Sequence, residues 1–307
     1  MTQPNHIRYL TSGQIDRLKW DACIDSAHNG LVYGYSWYLD HMARHWHALV
    51  MNDYEAIMPL TWNKKYGIAY LYQPAFTQQL GIFSHLPVQP ALVSLFIKSI
   101  PARFRFIEIF LNYSNPCADA GKVHNNLVLP LQAGFEQVKK GFSKELLQNV
   151  NRAAKFNLQY RKSDDFSKAI HLFRKTYSSV LSHVSAADYA NFESMCSASL
   201  KNKTVIVREV TGENEELLAI CLFLKDHRRV YNLMSTTSET GRHREANHFL
   251  LYECIREFAG QDLILDMEGS DIPGIYNFYK KFGAVNEPYF FLRINNLPLI
   301  AKFLKRG

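Results

Sequence analysis

The sequence predicts a mixed α/β protein folded as two lobes. Three observations carry this. The chain has 307 residues, more than one ordinary core and suited to two domains of about 150 residues each. Strand-like and helix-like hydrophobic periods alternate along its whole length. Three strand signals occur in direct series in each half, which predicts meanders and hence antiparallel or mixed sheets rather than a purely parallel one.

The first half opens with a strand at Ile7–Leu10, followed by helical patterns at Ser12–Ser26 and Ser36–His45. Strands are expected at His47–Asn52, Glu55–Trp62 and Ile68–Tyr72, a helix at Pro90–Ile100, and strands at Phe104–Leu111 and His124–Pro130. The second half begins with a helix that Ser143 caps and Glu145 favours in its first turn. In it Leu146, Val150 and Ala154 form an apolar stripe, and Lys144, Gln148, Arg152 and Lys155 a polar, mostly basic one. A strand at Leu158–Arg161 and helices at Asp165–Ser179 and Ala187–Leu200 come next. The second meander is Thr204–Val210, Leu217–Lys225 and Arg229–Ser235, with turns at Gly212–Asn214 and Asp226–Arg228. A long helix over Arg244–Gly260, a buried strand at Leu263–Met267, a helix at Pro273–Phe282 and a strand at Tyr289–Ile294 complete the order. The lobes are expected at residues 1–135 and 136–307, with the boundary near Leu131–Phe142. No repeat is visible in the sequence itself.

Composition narrows the function classes. Apolar residues make up 47% and charged residues 21%, an ordinary globular balance. The polar start, Met1 to His6, lacks the apolar core of a signal peptide, and the longest apolar runs are too short to span a bilayer. A cytoplasmic protein is expected. The cysteines (Cys23, Cys117, Cys196, Cys221 and Cys254) are scattered, five in number and without a C-x-x-C pair, so they predict buried or half-buried thiols rather than a disulfide framework or zinc site. His41, His45 and His47 lie close together but form no H-E-x-x-H pattern, and no metal is expected. No nucleophile elbow, Walker loop or dinucleotide fingerprint occurs. Net charge is +7, and between Glu136 and Lys175 ten Lys and Arg stand against four Asp and Glu. An excess of +6 in one stretch predicts a local field for anions, or else a solvated basic face.

The stretch Leu263–Ala284 carries most of the chemistry. Tyr279 stands one helical turn before Gly283, which suits a left-handed helix end. A phenol there is a proton donor near neutral pH. Asp266 and Glu268, two apart, share a face if the strand continues. Each can act as a proton acceptor, or cap the next helix or pair with a base. Tyr70–Phe83 is uncharged, aromatic and rich in amides. Gln73 and Gln78 there suit the wall of a ligand cleft or an inter-lobe packing strand.

These residues resemble the GNAT N-acyltransferases, whose late helix ends Tyr-x-x-x-Gly-Phe. Tyr279 and Gly283 match, and Ala284 replaces the Phe. The element order of the second half is also that of the GNAT fold. The chain as a whole resembles the two-lobed FemABX-like and BioF-like subgroup, whose Fem members extend a peptide with an aminoacyl group. Helix 144–156 resembles their basic segment. The resemblance implies a fold of two GNAT-like lobes in tandem with a cleft between them. It implies transfer of an acyl or aminoacyl group from a thioester or ester donor, acyl-CoA favoured over aminoacyl-tRNA, to a small or peptide-like amine. In that reading Tyr279 protonates the leaving group and Asp266 or Glu268 takes the amine proton. Arg242, Arg244, Ala246, Asn247, Asn277 and Lys280 hold the donor. Arg152 and Lys155 hold an anionic acceptor or part of the donor, and Gln73 and Gln78 are substrate-binding candidates on the cleft wall. The pyrophosphate loop of the family, Gln/Arg-x-x-Gly-x-Gly/Ala, has only a distorted counterpart in Thr237–Asn247. That departure leaves a second reading open: an inactive relative that binds an anionic ligand or RNA.

Overall fold

The computed structural model describes residues 6–117, 121–200, 203–269 and 271–298. In chain order the first elements are β1 (Ile7–Leu10), α1 (Arg17–Ser26), α2 (Ser36–Met42), β2 (His45–Met51), β3 (Ala56–Lys65), β4 (Ile68–Leu71), β5 (Phe83–Ser84), α3 (Pro90–Lys98), β6 (Phe104–Leu111), β7 (Lys122–His124) and β8 (Leu127–Pro130). Next come α4 (Phe135–Lys139), α5 (Lys144–Ala153), β9 (Gln159–Ser163), α6 (Phe166–Tyr177), α7 (Ala186–Ser199), β10 (Val205–Thr211), β11 (Leu217–Lys225) and β12 (Arg229–Thr237). The last are α8 (Glu239–His243), α9 (Ala246–Phe258), β13 (Ile264–Asp266), α10 (Pro273–Lys280), β14 (Val285–Asn286) and β15 (Tyr289–Asn295).

The chain divides into two compact units, residues 1–124 with 288–307, and residues 125–287. The first unit's sheet runs β1-β2-β3-β4-β6-β15-β7, with β5 beside β3. The second, read in the same sense, runs β9-β10-β11-β12-β13-β8-β14. Position by position they repeat one topology. Each has an antiparallel meander, one parallel pair (β4 with β6, β12 with β13), and then antiparallel strands. The fifth and seventh strands in each are separated by a strand from elsewhere in the chain: β15 from the far end in the first unit, β8 from before the helices in the second. This is a structural repeat that residue identities do not carry.

Local rules explain most elements. Ser143 caps α5 by accepting from the Leu146 amide at 3.1 Å, Asp165 caps α6 and Ser185 with Asp188 forms a capping box on α7. Tyr66 and Gly67, both at positive φ, form the two-residue turn between β3 and β4. β11 reads as one apolar run because it is buried on both faces: Ala219, Cys221 and Phe223 join the core containing α5 and α9, and the alternate residues Ile220, Leu222 and Leu224 are buried on the other.

Three expectations change. The long helix starts at Ala246, not Arg244, because Glu245 is left-handed (φ 57°) and breaks it from the one-turn α8. The strand expected at His124–Pro130 is two strands in different sheets. Helix 144–156 ends at Ala153, followed by a 3-10 turn and a left-handed Asn157. Its buried face is Leu146, Asn149 and Ala153 rather than the Leu146–Val150–Ala154 stripe. Asn149 is inside with both ends of its side-chain amide hydrogen-bonded, as described below. All five cysteines are free thiols, four buried and Cys117 half-buried. Among the described residues no helix is long and apolar enough to cross a membrane.

Candidate active site

The site is built around a fork in the second unit's sheet. The parallel ladder between β12 and β13 pairs only Arg229–Tyr231 with Ile264–Asp266. Beyond it β12 continues to Thr237, paired as a strand with β11 alone among the described residues. A bulge at Leu233 lies in this stretch, where pairing steps from Phe223–Asn232 to Leu222–Met234. Such a bulge bends a strand and re-aims its side chains. At the mouth of the fork the Asn232 side-chain amide donates to the Tyr279 hydroxyl oxygen at 3.4 Å. The buried Cys221 thiol donates to the Asn232 carbonyl oxygen at 2.7 Å. Burial pushes the Tyr279 phenol well above its ordinary pKa, and Cys221, Tyr177 and Glu268 add to the shift. Tyr279 is therefore a protonated hydroxyl across the physiological range.

Helix α10 is anchored at its C-terminal end. Gly283 has φ 78°, and a Cβ there would lie 2.9 Å from the carbonyl oxygen of Gly141. Both facts call for glycine. The Ser143 amide donates to the Lys281 carbonyl at 2.8 Å, and Lys281 pairs with Glu145 at 2.6 Å. These contacts hold the Tyr279 turn against the start of α5.

Asp266 and Glu268 do not share a face. Glu268 is left-handed (φ 57°), which breaks the alternation of a strand. Asp266 is buried and receives Arg229 at 3.0 Å, the Asn126 amide at 3.1 Å and the Glu268 backbone N–H at 3.0 Å. Arg229 also makes two hydrogen bonds to Glu287, at 2.7 and 3.0 Å. Burial opposes charge on Arg229, but the two carboxylates outweigh it and raise its pKa. Asp266 thus ties the strand end to a buried ion network, while half-buried Glu268 lies close enough to influence the Tyr279 phenol.

The loop from Thr237 to Asn247 is not an open phosphate cradle. Ser238 caps the short α8 by accepting from the Gly241 amide at 3.0 Å, and a Cβ on Gly241 would lie 2.2 Å from the Leu218 carbonyl oxygen. Gly241 therefore serves close packing on β11. Arg242 donates to the Thr237 carbonyl at 2.9 Å. Arg244 pairs with Glu216 at 2.5 Å and lies over the Phe156 ring. Ala246 is buried at the first position of α9, and Asn247 accepts from Ser235 of β12 at 3.4 Å. No side chain caps α9. The first-turn amides of Ala246, Asn247 and His248 have no acceptor among the described residues. Asn277 and Lys280 are exposed on α10.

A closed ring of side chains joins α5 to the start of α9. Arg152 donates to Glu245 and, at 2.7 Å, to the Asn149 carbonyl oxygen. The Asn149 amide donates to His248 Nε2 at 3.0 Å, and His248 Nδ1 donates to Glu245 at 2.8 Å. Burial holds His248 below its ordinary pKa against the pull of Glu245, which fits an imidazole protonated on Nδ1 alone. The His248 ring packs on Phe278, the neighbour of Tyr279. Sequence reasoning singled out Arg152 but not its neighbour Asn149, nor Glu245 and His248, which lie about a hundred residues away along the chain. Lys155 is exposed.

Half of the ten cations in the basic stretch have a carboxylate partner. Lys139, Arg152, Arg161, Lys162 and Lys168 pair with Glu136, Glu245, Glu215, Glu257 and Glu209. By sequence the second unit holds 21 Lys and Arg against 20 Asp and Glu, a net +1. The first holds 14 against 8, a net +6. Carboxylates brought in by the fold therefore offset part of the expected local field at residues 136–175, and most of the chain's net charge lies in the first unit.

The first unit has the same parallel pair, but its own chain fills the place beyond. Gln73 Oε1 accepts from the Phe110 amide at 3.1 Å, and its Nε2 donates to the Thr77 carbonyl at 3.0 Å. Leu80 N–H donates to the Phe110 carbonyl at 2.8 Å. Gln79 accepts from the Tyr113 amide at 2.8 Å and donates to half-buried Gln78 at 2.6 Å. The amide-rich segment thus satisfies backbone groups within its own unit. Among the described residues no group of three or more His, Cys, Asp and Glu is placed to hold a metal ion. His41 bonds the Trp37 carbonyl, and His45 and His47 pack on Trp62.

No protein-family model matches the sequence, and comparison with curated proteins gives no match. Solved structures do match. FemX superposes with a TM-score of 0.68 over 96% of this chain and 99% of its own, at 12% identity. A conserved protein of unknown function from Bacteroides thetaiotaomicron gives 0.50, over 93% of this chain and 99% of its own, at 12% identity. The C-terminal domain (DUF2156) of a protein described as a lysylphosphatidylglycerol synthetase from Agrobacterium fabrum gives 0.50, over 92% and 95%, at 11% identity. At this identity the likeness concerns the fold, which is that of two GNAT-like lobes in tandem, as in FemX.

Proposed function

We propose that the chain is an N-acyltransferase whose reaction takes place at the β12/β13 fork. The observation that carries this reading is the position of Tyr279. In a GNAT-like fold, a hydroxyl held protonated by burial stands where β12 leaves its parallel partner. An extended, amide-bearing donor can add along the free edge of β12 as a further strand would. The uncapped first turn of α9 suits the donor's anionic end, because backbone N–H groups and the helix dipole both favour negative charge there. Exposed Arg242 lies at the same end.

In the reaction the acceptor nitrogen forms a bond to the acyl carbon and loses a proton. Glu268 takes that proton, directly or through water. The tetrahedral intermediate collapses, the bond from carbon to the leaving sulfur or oxygen breaks, and Tyr279 supplies its proton. Asp266 positions the turn that presents Glu268 rather than acting as the base, since its oxygens already accept from Arg229, Asn126 and Glu268. Acyl-CoA is the donor favoured by the open edge. One observation favours an aminoacyl ester instead: the carboxylate of Glu245 stands beside the α9 N-terminus and disfavours a diphosphate there.

The test is a transfer assay with purified protein, acyl-CoAs and aminoacyl-tRNA as donors, and a panel of amines. A thermal-shift series with the same donors runs alongside, since a ligand of the native state raises the melting temperature. Transfer lost in Tyr279→Phe supports the reading. Binding of anions or RNA without transfer from any donor supports the inactive relative.

A further inference from the structure

The first unit carries a second candidate site, unrelated to the fork. A cavity of about 520 Å³ opens between the β3–β4 hairpin and the start of β6, lined by Trp62, Lys64, Ile68, Ala69, Arg103 and Arg105, with Gly67 and Pro298 at its margin. Three of its lining residues are cations and none is acidic. Among the described residues no carboxylate pairs with Lys64, Arg103 or Arg105, whereas Arg17, Lys19 and Arg293 of the same unit all have one. Like charges brought together without counter-charge repel, so the arrangement lowers stability unless an anion joins it. This unit also holds +6 of the chain's +7.

The cations are placed by the fold. Arg103 donates to the Tyr9 hydroxyl and, at 3.1 Å, to His47, and its guanidinium stacks over Tyr9 and Phe104. Arg105 is the extra residue where pairing of β6 with β4 steps from Phe104–Ala69 to Phe106–Tyr70, so a bulge sets its direction. Lys64 lies across from Ala69, whose small side chain leaves the space open. Trp62 supplies an aromatic wall. Its ring is packed by His45, His47 and Phe104, and its indole N–H is buried without an acceptor among the described residues. Burial, then Arg103 and His45, push His47 down to about 4, so the imidazole is neutral at neutral pH and the cavity's charge is that of Lys64, Arg103 and Arg105.

We infer that this cavity binds an organic diphosphate of nucleotide size, its phosphates on Lys64, Arg103 and Arg105 and its planar portion against Trp62. Phosphate oxygens match guanidinium geometry, and a planar ring gains from the indole. The volume is in the range of small-ligand sites.

Calorimetry with the full-length protein and ADP, inorganic pyrophosphate and adenosine tests it. ADP should bind more tightly than pyrophosphate, and adenosine should not bind. Lys64→Gln and Arg105→Gln, both at exposed positions, should each weaken ADP about tenfold, while Lys98→Gln, away from the cavity, should leave it within twofold. Trp62→Phe should bring ADP closer to pyrophosphate. The part of ADP binding that depends on Lys64 and Arg105 should persist in Arg242→Gln, which separates this site from the fork. The inference is overturned if ADP does not bind at millimolar concentration, if the Lys64 and Arg105 variants bind as the parent does, or if Lys98→Gln loses as much.

Discussion

The Asn232 side chain donates to the Tyr279 hydroxyl oxygen across 3.4 Å, at the residue immediately after the last β12–β13 pair. One residue belongs to the strand that forks and the other to the helix that closes over the fork. Their contact leaves the Tyr279 proton available, because an oxygen that accepts from an amide still has its own O–H to give.

Tyr279→Phe should therefore lower kcat by about 100-fold, within the range for loss of a general acid, with the melting temperature nearly unchanged because the ring packing is retained. Steady-state kinetics with a melting curve on the same sample decides it. An unaltered rate removes Tyr279 from the chemistry.

The two carboxylates should separate cleanly. Glu268→Gln should reduce turnover and leave stability within about 0.5 kcal/mol, as expected for a half-buried surface side chain. Arg229→Met strands Asp266 as a buried charge and removes the partner of half-buried Glu287, and should cost about 3–5 kcal/mol. Urea unfolding midpoints read both. If Glu268→Gln turns over like the parent protein, the base lies elsewhere.

Acid should destabilise the protein below the ordinary histidine range. His47 is pushed down to about 4 by burial, with Arg103 and His45 adding, and burial also lowers His248. In the unfolded chain both titrate near 6.5. Between those values the unfolded state binds protons that the folded state does not. Their contribution is complete above about pH 6.5 and is lost as pH falls from there, for His47 toward about 4. Unfolding midpoints at pH 7.5, 6 and 5 should fall in that order, and His47→Gln with His248→Gln should flatten the trend.

Gly283→Ala should destabilise by about 2 kcal/mol or more, since the added Cβ meets a carbonyl oxygen and the residue is left-handed. Tyr279 sits on the same helix, so activity should fall with the folded fraction or faster. A variant as stable as the parent would mean that Gly141 yields to the new methyl.

Much of this molecule was legible in its residues. Hydrophobic period and caps such as Ser143 and Asp165 located nearly every element, because these signals are local. The spacing of Tyr279 and Gly283 was also a local fact, one helical turn read from four residues. What failed was local too in its cause: nothing around Glu245 announces a left-handed residue, so the break between α8 and α9 was invisible.

The sequence by itself determined the mixed α/β class, the tandem arrangement, the meanders and the candidate proton donor. Tertiary structure alone decided the topological repeat, with β15 and β8 each completing a sheet far from their chain neighbours. It decided that the ladder between β12 and β13 stops after three pairs while Gln73 and Leu80 fill the first unit's counterpart. It also gave Asp266 to Arg229 and Arg152 to Glu245, and left Lys64, Arg103 and Arg105 without a carboxylate partner among the described residues. The physical reason is common to all of these. Periodicity and capping depend on residues within a turn of each other, whereas strand order and the pairing of buried charge depend on groups about forty to two hundred residues apart, whose meeting no local pattern records.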